Sequence, residues 1–303
     1  MNYKEILKAI ENEVQPLLGQ GKIADYIPAL KNVSPDRFGM AICTVDGEEY
    51  SIGDADIQFS IQSISKVLTL TLALDYLGDE LWQKVDREVS GNPFNSITQL
   101  EYNSGIPRNP LINAGALVVA DCIISNSENA KKNILKFAKN QSGSQSIEYD
   151  FEIAESEKNN GYRNAALANF MKSFNNIDND VEAVLDVYFH QCSLSMTCRD
   201  LAKSMLYLAN KGISSNGETI ISPSHTKKIN SLLLTCGMYD AVADFAYRVG
   251  LPAKSGVGGG IVAIVPGLMS ICVWSPGLDK KGNSFVGSNA LELFAKMTGY
   301  SIF

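Results

Sequence analysis

The sequence predicts an α/β fold of the α+β kind: one antiparallel sheet flanked by helices, with an all-helical lobe inserted between its strands. Three observations carry this. Strand-like runs lie near both ends of the chain, at about 37–44 and 49–52 and again at about 259–265 and 269–274. Each pair is joined by a turn signal, Val45-Asp46-Gly47-Glu48 in the first and Pro266-Gly267 in the second. From Ser63 to about Ala209 the apolar spacing is mostly helical. Strands from both ends then form one sheet, and the helical block becomes a second lobe. The expected division is a single domain over 1–303, with a sheet lobe at about 1–62 and 240–303 and a helical lobe at about 63–239.

The elements follow in order. Ile6, Leu7, Ile10, Val14 and Leu17 have helical spacing, and Glu5, Glu11 and Glu13 interrupt them, so an amphipathic helix is expected rather than a secretion signal. Gly19-Gln20-Gly21-Lys22 breaks it before Ile23 to Leu30. After the first hairpin, Gly53 to Ile57 leads into a strand-to-helix junction at Ser63. Helices are expected at about 65–77, 114–126, 129–140, 149–157, 162–174, 178–190 and 197–211. The loop-rich piece from Ser90 to Pro110 is long for an idle connection, so site residues are expected there. After the second hairpin, Pro276-Gly277 and Lys281-Gly282-Asn283 read as turns, and Ser284 to Met297 as a closing helix.

Composition excludes several functions. A net charge of −7 argues against nucleic acid or an anionic membrane surface as main partner. No apolar run reaches the roughly 18 residues of a membrane span, and the expected compartment is the cytoplasm. Six cysteines are scattered without a C-x-x-C pair and read as small buried hydrophobes. His190 and His225 are the only histidines, and neither lies in a metal-ligand run. Neither a metal nor a Ser-His-Asp triad is expected, so any base must be lysine, tyrosine or carboxylate.

One stretch meets that requirement. Phe59 to Lys66 precedes the apolar run Val67 to Leu72, placing Lys66 one helical turn after Ser63. A serine hydroxyl needs a base within reach, and a buried lysine serves because desolvation lowers its pKa. Free N–H groups at the helix start could hold an oxyanion. The S-x-x-K pattern is weak alone: it recurs at Ser224 to Lys227, and a helix cap followed by a solvated lysine explains either copy. The first copy has a strand pair before it, a buried helix after it, and Lys254-Ser255-Gly256 near the C-terminus. Serine acylases of the β-lactamase and penicillin-binding type combine these features.

Further polar clusters carry two readings each. Asn113, before Leu117 to Ala120, can cap a helix or face a site. Ser156-Glu157 and Arg163-Asn164 can be solvated surface, and Tyr188 in Val187-Tyr188-Phe189 can be aromatic core. Cys236-Gly237-Met238-Tyr239-Asp240 is a glycine turn with an exposed-looking tyrosine. Lys254 to Gly260 lacks the Walker order, so its glycines suit close approach of backbone to a ligand.

In order, Gln62 to Lys66, Asn109 to Ala116, Ser156-Glu157 with Arg163-Asn164, Cys236 to Asp240 and Lys254 to Gly260 resemble the motifs of the glutaminase family. These are serine-dependent amidohydrolases with a β-lactamase/transpeptidase-like fold. Asp25-Tyr26-Ile27-Pro28 resembles the family's N-terminal tyrosine segment, and the likeness runs from about residue 20 to the C-terminus. Two positions depart: Ser255 stands where related acylases often have threonine, and Ala241-Val242-Ala243-Asp244 replaces a glycine-containing stretch.

The resemblance implies an enzyme that hydrolyses the side-chain amide of free L-glutamine to L-glutamate and ammonia. It implies Ser63 as nucleophile and Lys66 as base, with Tyr239 and Tyr26 near the leaving group and Tyr239 as the proton shuttle. Backbone N–H groups of Ser63 and Val257 would form the oxyanion hole, and Asn113, Glu157, Asn164 and Tyr188 would bind substrate. Glu157 suits the α-ammonium, while the asparagines and Tyr188 offer donors to the α-carboxylate. No cofactor is implied, and a homodimer or homotetramer is. Two rivals remain open: a β-lactamase or D-Ala-D-Ala peptidase of the same fold, and a non-catalytic glutamine-binding module.

Overall fold

The computed structural model describes residues 1–90 and 97–303. Its strands are β1 (Gly39–Thr44), β2 (Glu49–Gly53), β3 (Phe59–Ser60), β4 (Glu148–Tyr149), β5 (Leu194–Met196), β6 (Ala253–Ser255), β7 (Gly260–Val265) and β8 (Met269–Trp274). Five form one sheet in the order β2-β1-β8-β7-β6, every neighbouring pair antiparallel. Strands from the two ends meet at β1 and β8, where Met40 opposes Val273 and Ala41 opposes Cys272.

Both faces of this sheet are covered, which is why β1, β7 and β8 are apolar without alternation. Met40, Ile42, Ile261, Ala263, Ile271 and Val273 pack on the helices Tyr3–Val14 and Phe285–Thr298. Ala41, Cys43, Val262, Ile264, Cys272 and Trp274 face the other way, into the core shared with the helical block. Two helices run through that block almost wholly buried, Ser65–Leu77 and Asn113–Ser125. An apolar surface all round marks each as an internal helix, and their mutual packing sets Lys66 against Asn113. Asp121 anchors the second: its buried carboxylate accepts the N–H groups of Asp178 and Asn179 and pairs with Lys84.

Several expectations need correction. The helix expected at about 197–211 breaks at Met205 into Cys198–Ser204 and Leu206–Ala209. Ser204, buried there, returns its hydroxyl to Leu201 O at 3.0 Å, a bond that competes with the helical ladder. The helix expected from 149 starts at Phe151, because Glu148 and Tyr149 pair with β5 and Asp150 caps with its carboxylate. The helix expected from 178 starts at Val181, capped by Asp180. Unforeseen are β6, the small sheet β3-β5-β4, and the helices Thr98–Tyr102, Pro223–Cys236 and Val242–Arg248. Ser222 caps the helix Pro223–Cys236, so Ser224 of the second S-x-x-K is not the cap the plain reading expected, while Lys227 is solvated as that reading has it.

Candidate active site

β3 pairs with β5, and Ser60 Oγ donates to Cys192 O at 2.9 Å, which pins the chain just before the junction. Gln62 then adopts φ +49° while buried, an uncommon conformation for a residue with a side chain. Its Nε2 donates to Ser60 Oγ at 3.0 Å. The bend turns Ser63 out of the 3-10 turn Gln62–Ile64 into a cavity of about 620 Å³. That volume is typical of small-molecule sites.

The glycine run folds against this bend. A Cβ on Gly256 would stand 2.5 Å from Ile61 O, and one on Gly258 2.2 Å from Ser60 O. The close approach is therefore to the chain's own backbone, not to a ligand as expected. It places Val257 on the cavity wall, and among the described residues its N–H has no acceptor.

Lys66 lies beneath the floor, 1% exposed, and burial lowers its pKa to about 8, against the opposing pull of Cys192 and Glu157. Its Nζ donates to Asn113 Oδ1 at 2.7 Å and to Leu111 O at 3.3 Å. Asn113 Nδ2 donates to Asn164 Oδ1 at 3.0 Å. Because an ammonium only donates, this order fixes both amides and leaves the Asn164 NH2 as that residue's group for a ligand. Asn113 opens the helix Asn113–Ser125 but does not cap it; Ile112 holds the cap position without a side-chain bond. Of its two readings, the structure chooses the cavity.

Glu157, on the helix Phe151–Asn160, lines the same cavity, and desolvation raises its carboxyl to about 7, while Gln62 and Lys66 pull it down. Tyr188 is 3% exposed, and burial, then the nearby Cys192 and Glu157, raise its phenol. Tyr239 is half-buried, not exposed as expected, and adopts φ +49°. Its hydroxyl donates to Ser255 O at 3.2 Å; burial raises the phenol, and the Ser63 side chain pulls it the other way. Tyr26 stands at the rim, 60% exposed, and among the described residues its hydroxyl makes no hydrogen bond.

Tyr26, Ser63, Asn113, Glu157, Asn164, Tyr188, Tyr239 and Val257 thus share one cavity, with Lys66 just under it. The loop expected to supply site residues does not line it over 97–110, and 91–96 lie outside the described residues. Gln62 and Lys254 lie inside motifs yet carry no expected role, Asp279 and Lys280 carry no expectation, and Lys281 and Gly282 are expected only as part of a turn. Lys22 and Asp25 form a 2.8 Å ion pair at the mouth. Among the described residues no cluster of three or more His, Cys, Asp or Glu could hold a metal, and no helix is long and apolar enough to cross a membrane.

Comparison with known proteins agrees with this architecture. The family model for glutaminases matches residues 21–303. A glutaminase from Aliarcobacter butzleri is 57% identical, with all of both chains aligned. One from Rhizobium etli is 55% identical over 99% of this chain and 98% of its own. Among solved structures, the covalent complex of a Bacillus subtilis glutaminase with 5-oxo-L-norleucine superposes with a TM-score of 0.88 at 32% identity, covering 99% of each chain. The fold is thus the β-lactamase-like one that the motifs implied. With the match spanning nearly its whole length, the chain belongs to the glutaminase family, hydrolases acting on the amide of glutamine.

Proposed function

We propose that this cavity hydrolyses the side-chain amide of free L-glutamine through a glutamyl ester on Ser63, with Lys66 as base. The observation that carries the reading is Ser63 on the floor of the cavity that Tyr239 also lines, with a buried lysine of pKa about 8 one turn on. Neutral Lys66 takes the Ser63 proton as the hydroxyl attacks the amide carbon. The N–H groups of Ser63 and Val257 hold the oxyanion; Tyr239 gives its proton to the departing ammonia and regains one from protonated Lys66, which leaves the amine neutral again for the water step. Water then opens the ester and restores the serine. No step requires a metal.

The same cavity accounts for selection of the free amino acid. Glu157 pairs with the α-ammonium, while Asn164 and Tyr188 donate to the α-carboxylate, with Asn113 holding Asn164 in place. Glutamine inside a peptide would leave these buried groups unpaired and be rejected. The covalent complex of the Bacillus enzyme, formed by a diazo ketone that matches glutamine through its carbonyl carbon and carries a diazomethyl group in place of the amide nitrogen, supports a nucleophile in the family. Six cysteines without a disulfide suit the reducing cytoplasm, the compartment we assign.

The test is ammonia release from L-glutamine, L-asparagine and a glutamine-containing dipeptide, by wild type and Ser63→Ala. Turnover of free glutamine by wild type alone is expected. Absence of that turnover sinks the reading, and hydrolysis of nitrocefin instead would move the activity to β-lactams.

A further inference from the structure

Lys254 is a second fully buried lysine beside Ser63, and the mechanism above gives it no task. It lies on β6 at 0% exposure, and among the described residues no carboxylate pairs with it. Burial, and then the charge of Lys66, push its pKa well below the usual lysine value; the thiols of Cys192 and Cys236 act weakly the other way. An unpaired buried amine is costly, and methionine would fill the same volume without that cost. Its contacts converge on one neighbour. Nζ donates to Ser255 O at 2.6 Å and to Gly237 O at 3.2 Å, and lies 4.4 Å from the centroid of the Tyr239 ring. The Tyr239 hydroxyl donates to that same Ser255 O, at the longer distance of 3.2 Å.

We propose that Lys254 is a positioning residue for Tyr239: it supports the ring from one face and takes the stronger share of Ser255 O. The phenol proton is then held loosely on Ser255 O and stays available to Ser63 and the leaving nitrogen. The backbone is built to match. Gly237 O accepts both Lys254 Nζ and the Ser255 N–H, and Tyr239 follows two residues on in a left-handed conformation that turns its ring back over β6. Without the amine, the phenol would settle on Ser255 O and the ring would lose its support. This rests on the acyl-enzyme reading above, in which Tyr239 moves the proton.

The test compares four proteins: wild type, Lys254→Met, Tyr239→Phe and the double variant. Each is assayed for ammonia release from L-glutamine, with thermal melts as a folding control. Lys254→Met is expected to lower kcat by about tenfold or more with KM within about twofold. In the Tyr239→Phe background the same change should cost less than about twofold, because its target is already gone. An equal loss in both backgrounds would overturn the proposal and make Lys254 a scaffold or a substrate contact. Should Lys254→Met not fold, Lys254→Gln is put through the same cycle and read the same way. Wild type that releases no ammonia would sink the glutamine reading alone. The cycle is then read from the rate of Ser63 labelling by a fluorophosphonate, with coupling and equal loss meaning what they mean above.

Discussion

Lys66 Nζ stands 2.7 Å from Asn113 Oδ1, and the two residues sit at the starts of separate buried helices. The partner is a neutral amide. A carboxylate there would hold the ammonium charged, whereas an amide orients it and leaves desolvation free to lower its pKa to about 8. The pairing is therefore a setting of base strength, made by the packing of two helices.

Asn113→Asp tests this directly. The new carboxylate should raise the pKa of Lys66 and keep it protonated near neutrality. The rising limb of kcat/KM against pH is expected to move up by about one unit or more, with roughly tenfold less activity near neutral pH. A limb that stays in place would show that Asn113 does not set the base.

Lys66→Met should separate function from stability. The folded state lowers this pKa from 10.5 to about 8, so it disfavours the charged lysine. The penalty, about 3 kcal/mol, acts in full below pH 8 and disappears as pH rises toward 10.5. The variant is expected to be inactive but to melt higher than wild type, by most at neutral pH. Lost bonds to Asn113 and Leu111 offset part of the gain. Melts at both ends of the window check the sign, and a gap that widens with pH would contradict it.

Glu157→Gln should act on binding. The carboxyl must be ionised to pair with an α-ammonium, and its raised value of about 7 means wild-type KM climbs as pH falls through that point. The glutamine variant should raise KM by about tenfold or more and flatten its dependence on pH there. An unchanged KM would remove Glu157 from substrate recognition.

Gly237→Ala probes the turn that carries Tyr239. A Cβ there would meet Ala253 O at 1.8 Å and Leu233 O at 2.5 Å, so backbone has to move. A loss of about 2–4 kcal/mol is expected in urea unfolding, with kcat reduced in the protein that remains folded. A wild-type midpoint would show the turn to be free of β6.

The sequence by itself determined the class of fold, the two hairpins, the long helices and the motifs that carry the family resemblance. These are local properties: period, turn residues and short runs state themselves within about ten residues. Even there, the helix Pro223–Cys236 was legible from Thr226, Ile229, Leu232 and Leu233 but went unread beside the weak second S-x-x-K. Helix starts moved where Asp150 and Asp180 cap, and Met205 broke a run whose apolar pattern continues. Only the tertiary structure decided that Asn113 faces Lys66 instead of capping, that Gly256 and Gly258 pack on Ser60 and Ile61, and that Tyr239 and Lys254 share Ser255 O. Each of these depends on which groups lose water together. Burial of Lys66 by a helix about fifty residues away has no local pattern to announce it.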